Sequence, residues 1–67
     1  MKTVIEINMD NDAFSEDYGG ALGVEVARIL RALAKRLDGH SHFSLGFWTD
    51  LQDANGNFVG FCTVREG

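Results

Sequence analysis

The chain predicts an α+β domain in the order strand, helix, strand, strand, with one helix packed on a three-stranded, mainly antiparallel sheet. Three observations carry that prediction. Across residues 21–37 the apolar side chains of Leu22, Val26, Ile29, Leu30, Leu33 and Leu37 recur at helical period and share an arc of roughly 100°. Residues 2–8 are rich in β-branched side chains, which suit a pleated surface. Two runs of alternating apolar and polar residues, 43–51 and 58–65, flank Asp53-Ala54-Asn55-Gly56-Asn57, whose Asn-Gly pair is a strong hairpin signal.

In the opening strand Ile5 and Ile7 lie two apart and are expected on the core side. Residues 9–20 gather Asp, Asn, Ser and paired glycines around Phe14 and Tyr18, a composition that suits a loop pinned by its aromatics. Glu16 and Asp17 place negative charge at the positive start of the helix, Lys35 and Arg36 sit at its negative end, and Gly39 is positioned for a left-handed cap. On the polar side Arg28, Arg31 and Lys35 face solvent, with Glu25 one turn ahead of Arg28 for an ion pair.

In the second strand Phe43, Leu45, Phe47, Thr49 and Leu51 alternate with Ser44, Gly46, Trp48 and Asp50. A two-residue type I′ turn at Asn55-Gly56 then pairs Leu51 with Gly60, Thr49 with Cys62, Phe47 with Val64, Trp48 with Thr63 and Asp50 with Phe61. That register turns Leu45, Phe47, Leu51, Phe58, Cys62 and Val64 toward the helix and leaves Trp48, Val59, Phe61 and Val4 on the outer face. A one-residue bulge would exchange the faces of the third strand. This strand is expected in the middle of the sheet, antiparallel to both neighbours; a parallel pairing of the first and second strands through a right-handed crossover is the alternative.

A chain of 67 residues reads as one domain, 1–67, and buries only about 60% of its unfolded surface, so oligomerisation, here a homodimer, is an early expectation. Ten acids against six bases give a net charge of −4, with Asp10, Asp12, Glu16 and Asp17 concentrated in the first loop. That balance disfavours general binding to nucleic acid or to anionic membranes. The single cysteine, Cys62, suits a reducing compartment. No apolar run approaches the roughly 20 residues of a membrane span, and a soluble protein of a reducing cytosol is expected.

Chemistry-bearing patterns are sparse. His40, His42 and Cys62 are zinc-binding types, but no fourth ligand accompanies them and Cys62 is expected in the core; no metal site is predicted. Asp10-Asn11-Asp12 opens like a calcium loop without the glycine and terminal glutamate such a loop requires. Glu6, Asp50 and Asp53 offer carboxylates with no pocket-forming segment around them, and Asp53 is better placed to bond the turn backbone. Ser15, Ser41 and Ser44 lack a nucleophile's setting, and Gly19-Gly20 lacks the Lys-Ser/Thr of a phosphate loop. No enzymatic activity and no cofactor are predicted.

Two surfaces stand apart. Trp48, Phe61 and Val59 on the outer sheet face form an aromatic cluster of the kind that marks a contact surface, unless Phe14 and Tyr18 fold across it. Along the helix, Gly23, Ala27 and Ala34 beside Leu30 make a strip of small residues that permits close backbone approach, either to the sheet or to a second copy.

The opening strand running into Asn-Met-Asp-Asn-Asp-Ala-Phe, the helix Glu-Val-Ala-Arg-Ile-Leu-Arg-Ala-Leu-Ala-Lys-Arg-Leu and the hairpin Leu-Gln-Asp-Ala-Asn-Gly-Asn-Phe-Val-Gly resemble small acidic proteins encoded by bacteriophages, prophages and plasmids. The resemblance spans most of the chain and rests on structural residues. It implies origin on a mobile element, where acidic chains of this size act as stoichiometric binders of host proteins, including inhibitors of CRISPR and other defence systems. The aromatic stretch 43–48 departs from the common pattern.

The expected function is therefore a non-enzymatic interaction protein that binds and inhibits a bacterial host protein. Trp48, Phe61 and Val59 are the expected apolar anchors, and Asp10, Asp12, Glu16 and Asp17 complement a basic groove. The alternative is a small nucleic-acid-binding regulator using Arg28, Arg31, Lys35 and Arg36.

Overall fold

In the computed structural model, which describes residues 1–10, 21–39 and 42–67, the chain forms β1 (Lys2–Ile7), α1 (Ala21–Asp38), β2 (Trp48–Gln52) and β3 (Phe58–Arg65). The sheet order is β1-β3-β2, and β3 runs antiparallel to both neighbours. The parallel crossover is excluded. The expected loop acids Asp12, Glu16 and Asp17, the aromatics Phe14 and Tyr18, and His40 lie outside the described residues.

The amphipathic period of α1 becomes a core of Ile29, Leu33, Leu51, Val59 and Cys62, with Ile7, Leu22, Val26, Leu37 and Phe47 packed around it. Leu51 and Cys62 are fully enclosed. Burying such side chains contributes about 2 kcal/mol each, the main favourable term for a chain this small. Three polar ties set the helix over the β2 side of the sheet. Arg36 Nη1 donates to Thr49 Oγ1 at 3.0 Å, Arg28 Nη2 donates to the Gln52 carbonyl at 3.1 Å, and the Ala54 amide donates to Glu25 Oε2 at 2.9 Å. Leu30, expected in the buried stripe, is 40% exposed, and Ile5 remains 44% exposed although its pairing with Cys62 puts it on the helix side. The helix leans away from β1. Its end also differs from expectation: the Gly39 amide bonds the Arg36 carbonyl at 3.3 Å, and Gly39 is not among the glycines with positive φ.

The second strand is shorter than its alternation predicts. Phe47 N donates to the Ser44 carbonyl at 2.9 Å and Gly46 has φ 92°, so residues 44–47 form a tight turn that needs a left-handed residue where the glycine stands. Leu45 is consequently exposed rather than inward, and regular strand begins only at Trp48. The Gly46 amide still reaches the Val64 carbonyl, and the Val64 amide the Phe47 carbonyl, so the ladder continues past the strand's formal start.

The hairpin turn also differs. Among the described residues only glycines have positive φ, which rules out a type I′ turn with Asn55 in the left-handed region. Gly56 N bonds the Asp53 carbonyl, Asp53 N bonds the Asn57 carbonyl and Gly56 has φ 83°. This is a three-residue loop, a type I turn closed by a left-handed glycine. The longer loop shifts the register by one, and a bulge at Val59 between the Leu51–Gly60 and Gln52–Phe58 pairs shifts it back. The two displacements cancel. Every pair expected from Trp48–Thr63 to Leu51–Gly60 is therefore present, while the side chains before Gly60 change faces.

Val59, expected on the outer face, is 5% exposed and belongs to the core cluster. Phe58, expected inside, is 62% exposed and stacks on Trp48. Pairing of β1 with β3 depends on Gly60, where a side-chain carbon would overlap the Glu6 carbonyl oxygen. Only glycine allows that approach.

Candidate functional site

Residues directly opposite across a sheet share a face, so the pairings place two rows on the side away from the helix. One row is Val4, Thr63 and Trp48; the next is Glu6, Phe61 and Asp50. Trp48 stacks on Phe61 with ring centroids 6.5 Å apart and on Phe58 at 6.4 Å, each with planes inclined by 18°. Stacked rings at these distances attract beyond their shared buried area and hold one another in place. Trp48 and Phe58 are more than half exposed and Phe61 is half-buried. A monomer rarely leaves such rings in water without a use.

Of the expected anchors, the structure brings together Trp48 and Phe61, replaces Val59 by Phe58, and adds an acidic margin. Beside Phe58 and Phe61 an open groove of about 590 Å³ is lined by Glu6, Asn8, Asp10, Val59 and Gly60. The Asp10 amide bonds Asn8 Oδ1 at 2.9 Å, which fixes the chain as it leaves β1. At the other margin Gln52 Nε2 donates to Asp50 Oδ2 at 2.9 Å. The expectation of an inward Phe58 rests on a regular third strand; the one-residue bulge that would exchange these faces is present, immediately before Gly60.

The helix shoulder is open in part. Gly23, Leu30 and Ala34 are exposed and Ala27 is half-buried, and among the described residues a side-chain carbon at Gly23 would meet nothing within 4 Å. Val24 beside it is 71% exposed.

The basic face is partly committed to the fold. Arg28 Nε donates to Glu25 Oε1 at 2.5 Å while its Nη2 holds the Gln52 carbonyl, and Arg36 holds Thr49. Glu25 is 7% exposed, so the solvated polar face expected here is a structural tie instead. The Arg28 guanidinium holds the Glu25 carboxyl below its ordinary value, outweighing the burial that pushes it up, and the Ala54 amide acts in the same direction as Arg28.

Asp53 is also buried, and its carboxylate accepts from the amides of Asn55 and Asn57 and from Asn57 Nδ2. It is a turn-former, as its place before Asn-Gly implies. Burial pushes the Cys62 thiol up, only partly offset by Arg36, which keeps it protonated and unreactive. Among the described residues no three His, Cys, Asp or Glu side chains gather as a metal site.

The geometry defines a two-layer α+β domain with a stacked aromatic face on the side of its sheet away from the helix. No family model, no curated protein and no solved structure matches the chain.

Proposed function

We propose that the protein is a non-enzymatic interaction protein of phage or mobile-element origin that binds and inhibits a bacterial host protein, a CRISPR or other defence complex being the leading class of target. The observation that carries the reading is the exposed stack of Trp48, Phe58 and Phe61 beside an acidic margin. Rigid aromatics deliver large contact area at little entropic cost, which suits them as anchors in a partner's pocket. The excess of acids favours a basic partner surface by complementing its potential. The class of target rests on the resemblance of the strand, helix and hairpin segments to small mobile-element proteins.

The test is capture from a bacterial lysate with the tagged chain, read by mass spectrometry beside a Trp48→Ala/Phe61→Ala variant shown to be folded by circular dichroism. A host protein retained by the parent and lost by the variant is expected. Equal capture by both would remove the aromatic face from the interaction.

The nucleic-acid reading draws less support, because Arg28 and Arg36 are engaged by Glu25, Gln52 and Thr49. Arg31 and Lys35 remain exposed for it. A homodimer through Gly23, Ala27, Leu30 and Ala34 is supported by the exposure of that strip together with Val24.

A further inference from the structure

We propose that the groove between Glu6, Asp10, Phe58 and Phe61 seats an arginine or lysine side chain from a basic segment of the partner protein. The inference rests on the outer face being the contact surface and names what that surface selects.

The groove combines two kinds of wall. Glu6 and Asp10 supply carboxylates, with the Asn8 amide between them in sequence, while Phe58 and Phe61 supply aromatic faces and edges. Long basic side chains match that combination, because the alkyl stem packs on a ring while the charged head meets a carboxylate or lies over the ring itself. Among the described residues no lysine, arginine or histidine lines the groove. The bases at the far end of the same face are Lys2 and Arg65, which pair with each other across β1 and β3. Lys2 lies four residues along β1 from Glu6, roughly 13 Å of strand, beyond the distance at which salt screens exposed charges. Arg28 and Arg36 are held by the helix-to-β2 ties. Among the described residues, the carboxylates of the groove therefore have no neighbouring cation on their own face.

Phe61 is central to the geometry. Its cross-strand neighbours are Glu6 on one side and Asp50 on the other, so an approaching cation meets negative charge on both sides of the ring. The overall charge of −4 adds long-range attraction for a basic segment. The Val59 bulge creates the arrangement, because it turns Phe58 outward while Val59 itself goes to the core.

Trp48 is the chain's single tryptophan and stacks on both phenylalanines, so its emission reports on the groove. The full chain would be titrated with an end-blocked hexa-arginine peptide and, in parallel, with its uncharged hexa-citrulline counterpart. The expected result is a saturable change in Trp48 emission with the arginine peptide alone, weakened about tenfold in a Glu6→Gln/Asp10→Asn variant and reduced as salt is raised. Equal affinity for both peptides, or unchanged affinity in the double variant, would overturn the proposal. Spermidine binding as tightly as the peptide would overturn the protein source of the cation.

Lysate capture separates this inference from the reading beneath it. Loss of the partner with both the Trp48→Ala/Phe61→Ala and the Glu6→Gln/Asp10→Asn variants supports the two together. Loss with the aromatic variant alone leaves the contact face and removes the cation seat, and capture unchanged in both variants removes both.

Discussion

At the residue scale, three side chains or their absence hold the fold's unusual points together. Gly60 lets β1 lie against β3, since any side-chain carbon there overlaps the Glu6 carbonyl. Gly60→Ala is expected to cost about 3 kcal/mol or to abolish cooperative folding, measured by urea denaturation; a loss under about 1 kcal/mol would mean that β1 can shift without penalty. Asp53 gathers the hairpin by accepting from two amides and the Asn57 side chain, replacing contacts that water would otherwise make. Glu25 ties the helix to that same hairpin through Ala54 while pairing with Arg28. Its folded carboxyl titrates below the ordinary glutamate range, so the stabilisation it brings is present above the unfolded pKa of about 4.3 and fades as pH falls through the folded one. Glu25→Gln should therefore lower stability at neutral pH and flatten the acid-side loss below about pH 5. Parallel pH profiles of thermal unfolding for the two proteins would contradict this assignment.

At the element scale, the two edge strands are treated differently. The β2 edge is bridged by Arg28 and Arg36 from the helix, whereas β1 is held through β3 and leaves Ile5 partly in water. The helix thus covers part of the sheet, and among the described residues nothing lies within 4 Å of a side-chain carbon placed at Gly23 on its shoulder. A glycine inside a helix costs conformational entropy without any packing return at this position. Gly23→Ala is expected to stabilise the monomer by roughly 0.5–1 kcal/mol, read as a rise in denaturation midpoint. Destabilisation would show that something packs closely on that point. The hairpin shows how two local departures produce a regular strand pair. Its loop is one residue longer than Asn-Gly suggests and its bulge takes up the difference.

At the scale of the whole molecule, apolar surface remains on both sides of the sheet: Trp48 and Phe58 on one, Leu30, Val24 and Ile5 toward the other. Two surfaces allow two uses, a partner on the aromatic face and a second copy on the helix shoulder. If the shoulder self-associates, light scattering on the pure protein should give a dimer mass that falls to the monomer when Ala34 is replaced by a bulky charged residue. A monomer at every accessible concentration would remove that use and leave the helix shoulder as ordinary surface. The aromatic face is predicted to act independently, since its alanine variants remove no core residue and should change binding far more than stability.

The βαββ order, the helix expected over residues 21–37 and found over Ala21–Asp38, and the central β3 were legible from sequence because each rests on periodicity over several residues. The register of β2 with β3 came out as expected only because the longer loop and the bulge cancel. The stripe of Val26, Ile29 and Leu33 determined which side of the helix meets the sheet, and the β-branched opening determined that β1 exists. What tertiary structure decided is narrower and matters more for function. Whether alternation at Phe43, Leu45 and Phe47 continues as strand depended on Gly46 taking a turn, and whether Phe58 or Val59 points outward depended on a bulge that only the competition among helix, β1 and hairpin could place. Periodicity reports an average over an element, while a bulge or a glycine turn acts at one residue. The aromatic face therefore had its existence written in the sequence, but its membership and acidic margin were set by packing.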